Sequence, residues 1–394
     1  MDLAQRIRRR RRRGADRPII LDYEPLSPVA HVQEPVGRGP VLERLLDHLD
    51  PVFDGTLPPD MYVWGPPGSG KSAIVTALFE RLQSMTVQPH AVIHTSTRAQ
   101  TVELPTFVYV DARDAASEFQ LYHRVLGAVS TDDVPQQGVS TDELRSRLHD
   151  TIDGSSGAIL AVDHVDEPES LAVEDVTRWF ESFGRTVSLV LVGRTPGSDF
   201  GKGWDGKEIE IPGYGLQVLI DVLMTRGSNA LARDALQHSQ ARQIASWAGG
   251  DAHDALAVLF GAADRADASG VERIRDKDIQ AGIDGVPSPC VPLGVVFALR
   301  ENRQRILRAL LSLDESERSS VTETTKAIAQ QKGIDLSPGT VKRFLYELAE
   351  IGVIERVSAT KTEGHGRPPS RVELRFPTLV FKRLYDLQAG RLNQ

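Results

Sequence analysis

The sequence predicts an α/β protein: a parallel sheet flanked by helices, then a helical segment, then a C-terminal domain of three helices and a hairpin. Three observations predict it. Short apolar segments alternate with stretches of helical periodicity in the first half, the pattern of βα units in a parallel sheet. After Pro212 the strand signal fades, and residues 216–284 keep a helical repeat. From residue 303 the order is helix, helix, helix, then two extended segments around a Gly/Pro/basic loop.

Taken in order, Val36 to Leu49 reads as a helix with Leu42, Leu45, Leu46 and Leu49 at three- and four-residue spacing. MYVW (61–64) is a short apolar strand. A glycine-rich turn follows, then a helix with Ile74, Val75, Leu78, Phe79 and Leu82 on one side. PTFVYVDA (105–112) is a second strand. STDELRSRLHDTI (140–152) opens on an N-cap Ser/Thr and reads as a helix. AILAVD (158–163) and VSLVLVG (187–193) are the third and fourth strands. DGVPSPCVPLG (284–294) carries three prolines and reads as a linker. The expected division is a basic arm and entry segment (1–35), a P-loop α/β domain (36–213), a helical lid (214–284), a linker (285–294) and a C-terminal domain (295–394).

Bulk properties narrow the function classes. The 394 residues, 40% hydrophobic and 25% charged, are globular in composition and suffice for two or three domains. Cys290 is the only cysteine, which excludes an intrachain disulfide and cysteine-rich metal sites. No apolar run reaches the roughly 18–20 residues of a membrane span, and the arginine-rich N-terminus lacks the apolar core of a signal peptide. A cytoplasmic protein is expected. The net charge of −8 is unevenly spread: residues 1–20 carry +6 and residues 295–394 carry +5, leaving −19 in the middle. Two basic ends on an acidic body point to a polyanion partner. The run RIRRRRRRGADR (6–17) is open to two readings, a solvated tail or a nucleic-acid-binding arm.

Gly65-Pro66-Pro67-Gly68-Ser69-Gly70-Lys71-Ser72 fits G-x-x-x-x-G-K-[ST], with a strand before it and a helix after it. Its glycines let backbone N–H groups wrap a phosphate, and the following helix N-terminus adds its dipole. Lys71 is placed to reach the β and γ phosphates, and Ser72 to ligate Mg²⁺. The partner of such a loop is an acid at the end of a buried strand, and Asp163 closes ILAVD.

With these pieces in place the chain resembles AAA+ ATPases, and within them the archaeal origin-recognition and replication-initiator family. The resemblance rests on DRPIILDYEPLSPVAHVQEPVGRGPVLERLLDHL (16–49), YVWGPPGSGKSAIV (62–75), QQGVSTDELRSRLHDTI with GAILAVDHVD, IPGYGLQVLIDVLMTRG (211–227), GDAHDALAVLFGAADRA (250–266) and the last hundred residues. It implies an ATP site that adds Ala73, Thr195, Tyr214 and His253 to the loop, and a catalytic set of Lys71, Asp163 and the residue after it. That residue departs from the family pattern, which reads Asp-Glu: here it is His164. The glutamate orients the attacking water, and a neutral imidazole lacks its charge. Asp166 and Glu167 are close by, and strand alternation puts Asp166 on the side of His164 if the strand persists that far. The second sensor, usually arginine, is His253, and the first falls at Arg194-Thr195. With the loop intact and three hydrolysis-related positions altered, slow or absent turnover is expected.

In the C-terminal domain, RQRILRALLSL (303–313) and TETTKAIAQQKGI (322–334) read as the first two helices. The third begins with Ser337 as N-cap and Pro338 at the first helical position. Val341, Phe344, Leu345, Leu348 and Ile351 share one face, leaving Thr340, Lys342, Arg343 and Tyr346 mainly on the others. A buried stripe with exposed basic and polar groups is what a recognition helix in the major groove requires. Segment 353–376 reads as two strands around a wing, with Lys361, His365, Arg367 and Arg371 as candidate DNA contacts. The expected whole is a winged-helix protein that binds ATP, Mg²⁺ and double-stranded DNA in replication initiation, with a replicative helicase as a further partner and no membrane. A nucleotide-switched transcription or plasmid-maintenance regulator is the alternative.

Overall fold

A computed structural model of the chain describes residues 18–32, 34–87, 103–130, 133–167, 170–200, 204, 206–358 and 370–392. They fall into two compact units, one spanning His31–Tyr214 and the other joining residues 18–30 to residues 215–392. The arginine run at 6–17 and the wing positions Lys361, His365 and Arg367 lie outside the described residues.

The first unit is built on five parallel strands: β1 (Met61–Trp64), β2 (Thr106–Asp111), β3 (Ala158–Asp163), β4 (Val187–Gly193) and β5 (Lys207–Glu210). Their order is β2-β3-β4-β1-β5. β3 and β4 are buried at every residue, as their nearly continuous apolar sequences, interrupted only by Asp163 and Ser188, fit central strands covered on both faces. Pleating sends neighbours to opposite layers. Leu160 packs with Leu121, Tyr122, Leu144 and Leu148 on one side, and Ile159 with Leu45, Ile74, Leu78 and Phe79 on the other. The covering helices are α1 (Gly39–Leu49), α2 (Lys71–Val87), α3 (Glu118–Val129), α4 (Thr141–Asp153) and α5 (Val173–Phe180). Ser140 caps α4 by accepting the Glu143 N–H at 3.1 Å.

Three elements of this unit escape the sequence reading. β5, KEIE, buries only Ile209, so an edge strand of four residues carries one apolar signal. α5 is eight residues long, too short for a clear repeat. α3 buries Leu121, Tyr122, Val125 and Leu126 and is capped by Ser117.

The second unit contains the helices α6 (Leu216–Ala230), α7 (His238–Ala248), α8 (Ala252–Ala268) and α9 (Asp276–Asp284). α8 is its centre, buried almost all round because it is rich in alanine and apolar residues. Residues 18–30 fold onto these helices. Ile20 bridges Leu231, and the buried Arg226 guanidinium donates to the carbonyls of Ser27 at 2.7 Å and Ala30 at 3.2 Å. The segment grouped with the arm by sequence is thus held by the lid helices.

The C-terminal part of this unit follows with α10 (Leu293–Ala298), α11 (Glu301–Leu310), α12 (Val321–Ala329), α13 (Pro338–Glu350), an antiparallel hairpin of β6 (Ile354–Ser358) and β7 (Ser370–Leu374), and α14 (Thr378–Leu392). This is the three-helix and wing order that the sequence predicts. α14 and α10 were not anticipated. α14 places Phe381 against Phe297 and Phe376, closing the core of the domain.

Candidate nucleotide-binding site

The site lies in the first unit, at the carboxyl ends of β1, β3 and β4, where an open parallel sheet presents its loops. β1 delivers the chain into Gly65, and α2 begins at Lys71. A Cβ on Gly65 would fall 2.1 Å from the Ile211 carbonyl oxygen, and one on Gly70, at φ +82°, would fall 2.4 Å from the Tyr214 hydroxyl. Only glycine lets the loop pass so close to its neighbours. Ser69 is buried, with its hydroxyl lacking a hydrogen-bond partner among the described residues. The Lys71 ammonium donates to the carbonyls of Gly65 at 2.7 Å and Pro66 at 2.9 Å, so it folds back over the loop.

A residue outside the motif braces this loop. Arg38 is buried, donates to the Ser69 carbonyl and lies 3.7 Å over the Tyr214 ring. Tyr214, grouped with the nucleotide site by resemblance, therefore meets Arg38 on a ring face and Gly70 at its hydroxyl. Pro66, Pro67 and Gly68 form the outer turn, and Ala73 lies in the first turn of α2. The loop conformation, the helix N-terminus and Lys71 together fit a phosphate group.

Asp163 ends β3 and is 1% exposed. Its carboxylate accepts the His164 N–H at 2.7 Å and the Tyr109 hydroxyl at 2.7 Å. Burial and the Asp163 charge push the Tyr109 phenol far up, so it stays a donor. Ser72 and Asp163 are the hard oxygen donors that Mg²⁺ takes. Bound there with a nucleotide, Mg²⁺ would neutralise phosphate charge.

Directly after Asp163 the strand stops. His164 and Asp166 both adopt φ +63°, a left-handed backbone. The expected alternation therefore fails, and Glu167, not Asp166, reaches the imidazole. His164 Nδ1 donates to Glu167 Oε1 at 2.9 Å, because an ionised carboxylate only accepts. Nε2 lies 3.4 Å from the Ser72 hydroxyl and 3.7 Å from Asp163. Arg194 Nε meets the same Glu167 oxygen at 2.8 Å. The other oxygen, Oε2, is buried without a hydrogen-bond partner among the described residues.

Electrostatics follows from this packing. Burial works against a charged His164, but the Asp163 charge and the Glu167 hydrogen bond outweigh it and raise its pKa. Burial works against an ionised Glu167 as well. The His164 hydrogen bond and charge, then Arg194, outweigh it and hold Glu167 below the usual range. Arg113 pairs with Asp111 at the end of β2 and adds positive charge facing Glu167 and Asp163.

The two sensor positions lie in different units. Thr195 is exposed and uses its carbonyl to accept the Tyr62 hydroxyl at 2.7 Å, whereas Arg194 turns toward Glu167. In the second unit, His253 is buried, with Nε2 accepting the Leu293 N–H at 2.9 Å and Nδ1 facing Asp254 at 3.0 Å. Both ring nitrogens are thus engaged inside their own unit. Cys290 Sγ joins His253 and Asp254 within 4.8 Å. The Leu293 bond fixes the ring proton on Nδ1, so this group is a hydrogen-bonded cluster rather than a ligand set. Arg38, Tyr109, Arg113 and Glu167 were not singled out as site residues by sequence, since each acts through tertiary contacts that no motif encodes.

Among the DNA-contact candidates, Ser337 caps α13 by accepting the Thr340 N–H at 3.2 Å. Lys342 and Arg343 are exposed, while Val341, Leu345 and Leu348 are buried. Tyr346 is half-buried, with Arg356 4.5 Å and Lys342 5.9 Å from its ring centre. Arg371 pairs with Glu373 on β7 at 2.7 Å.

Comparison with known proteins agrees with this architecture. Residues 34–192 match the AAA ATPase domain family. The ORC1-type DNA replication protein 1 of Methanothermobacter thermautotrophicus is 24% identical over 334 residues, covering 80% of this chain and 83% of the relative. The ORC1-type DNA replication protein 5 of Halobacterium salinarum is 23% identical over 385 residues, covering 89% and 87%. The solved structure of the Aeropyrum pernix ORC1 protein in complex with DNA superposes with a TM-score of 0.61 at 21% identity, covering 97% of this chain and 100% of that one. The fold is AAA+ with a C-terminal winged helix. No helix among the described residues is long and apolar enough to cross a membrane.

Proposed function

Because the chain is an AAA+ protein related along most of its length to the archaeal ORC1-type DNA replication proteins, we propose that it binds ATP with Mg²⁺ and duplex DNA at a replication origin. ATP acts as a conformational ligand, and hydrolysis is slow. The observation that carries this reading is the Gly65–Ser72 loop facing Asp163, in a chain whose second unit ends in a winged helix. Lys71 and the loop amides hold phosphate; Ser72 and Asp163 hold Mg²⁺. A ligand can shift domain arrangement only through different affinity for the two states. ATP is therefore expected to change affinity for DNA.

Support also comes from charge. The C-terminal hundred residues carry +5 in a chain of net −8, and Lys342 and Arg343 are exposed on α13 beside the hairpin. The test is DNA binding by fluorescence anisotropy with and without MgATP, followed by footprinting on chromosomal fragments. Protection of repeated elements beside an unwinding region supports the initiator reading. Protection confined to promoter operators supports a nucleotide-switched regulator instead. A helicase partner would be sought by loading assays on the protected fragment.

A further inference from the structure

We propose that His164 holds the attacking water through Nε2 and that Glu167, bound to Nδ1, is the residue that positions it. The pair replaces the single carboxylate that the family carries after Asp163. This proposal rests on the ATP-binding reading and deepens it, because it assigns roles within the same site.

The geometry argues for a built device. A histidine after Asp163 does not by itself point anywhere, but here the backbone turns left-handed at His164 and again at Asp166. The second turn returns the chain so that Glu167 Oε1 meets the imidazole Nδ1 at 2.9 Å. Val165, between them, donates its N–H to Val192 at 3.1 Å and anchors the turn to β4. The Ser170 hydroxyl donates to the His164 carbonyl at 2.6 Å and ties its other end. Arg194 Nε, 2.8 Å from the same Oε1, fixes Glu167 as well. With Nδ1 occupied, Nε2 is the ring atom left to face Ser72 and Asp163. A carboxylate behind a histidine fixes its tautomer and orientation, as outer partners of ligating and catalytic histidines do.

In the reaction, the water oxygen bonds to the γ-phosphorus as the bond to the β,γ-bridging oxygen breaks. The electron pair leaves with ADP, and the water proton ends on the released phosphate. In the neutral ring, whose one proton Glu167 holds on Nδ1, Nε2 is an acceptor: it takes a hydrogen bond from that water and keeps it in line. Glu167 touches no reacting atom; it keeps the ring from rotating away.

The experiment uses the full chain with MgATP. Phosphate release gives kcat and KM, and a fluorescent ATP analogue gives affinity without turnover. Glu167→Gln, and separately His164→Asn, which suits the left-handed backbone, are expected to lower kcat by about ten- to hundredfold. Affinity and KM should stay within about twofold, and the double variant should fall no further than the worse single one. Thermal melting of His164→Asn, which leaves the Glu167–Arg194 pair intact, guards against misfolding. Unchanged kcat in a folded Glu167→Gln protein overturns the proposal. So does a parent chain that binds the analogue yet releases phosphate no faster than Lys71→Ala, a result that leaves the ATP-switch reading standing. Failure of the parent chain to bind the analogue overturns that reading and this proposal with it.

Discussion

His253 accepts the backbone N–H of Leu293 at 2.9 Å, joining α8 to the start of α10 through one buried ring. A histidine so placed holds its own unit together. His253→Ala leaves the Leu293 N–H buried without a partner, at a cost of about 1–3 kcal/mol. Thermal melting should therefore drop while affinity for a fluorescent ATP analogue stays within twofold. Weaker nucleotide binding at unchanged melting would identify the ring as a phosphate contact instead.

Lys71 folds back onto the carbonyls of Gly65 and Pro66. Its ammonium must leave them to meet a phosphate. Lys71→Ala is expected to weaken ATP binding by about ten- to hundredfold, the range of a charged hydrogen bond, with little change in melting temperature. Calorimetric titration of MgATP measures both the parent and the variant. Equal affinities would remove the loop from the nucleotide site.

Lys342 and Arg343 are exposed on α13. Arg343 lies 3.5 Å from Glu347, a surface pair worth at most about 1 kcal/mol and easily exchanged for a phosphate. Each alanine substitution should weaken duplex binding across sequences and lower the salt slope by about one. Anisotropy titrations from low to moderate salt give that slope. A slope identical to the parent's would place α13 away from the DNA backbone.

How far the sequence carried the reading depends on where each signal resides. The P-loop is legible because strand, glycine turn, lysine and helix follow within one segment, and Asp163 because it closes a short apolar strand. The winged helix is legible because Ser337, Pro338 and the apolar stripe of α13 are local. Glu167 was visible only as a nearby acid, and alternation favoured Asp166. Two left-handed residues reversed that order, and positive φ at histidine and aspartate leaves no signature in the sequence. Arg38 and Tyr214 are 176 positions apart, yet their stacking braces the loop. β5 was missed because an edge strand with one buried residue looks like loop.

Asp278 offers a pH test in the second unit. Its side chain is fully buried and accepts the Arg275 N–H at 3.0 Å and Nε at 2.7 Å. Burial pushes its pKa up, but the Arg275 hydrogen bonds and charge outweigh that, and the net shift is downward. A carboxylate depressed in the folded state adds stability that is full above its unfolded pKa of about 3.9. That stability is lost as pH falls through the folded value. Asp278→Asn should lower the melting temperature by about 2–4 °C at neutral pH, and the gap should begin to narrow only below about pH 4. A gap constant down to pH 3 would mean that the carboxylate charge contributes nothing there.

Restoring the family's glutamate gives the sharpest contrast between a disabled site and a rewired one. If His164 is only a lost carboxylate, His164→Glu should raise turnover by itself. The structure argues otherwise. A carboxylate at 164 would stand between Asp163 and Glu167, where the imidazole now lies 3.7 Å from one and 2.9 Å from the other. Like charges at that range repel, and the left-handed backbone at 164 disfavours glutamate further. His164→Glu is therefore expected to turn over no faster than the parent. The double variant His164→Glu/Glu167→Gln, which removes the clash of charge, should exceed the single one on the order of fivefold, equivalent to ~1 kcal/mol of coupling between touching groups. Phosphate release from the parent, both single variants and the double decides it. Turnover that rises as much in His164→Glu as in the double would mean that Glu167 does not act on position 164, and that the histidine is a simple loss.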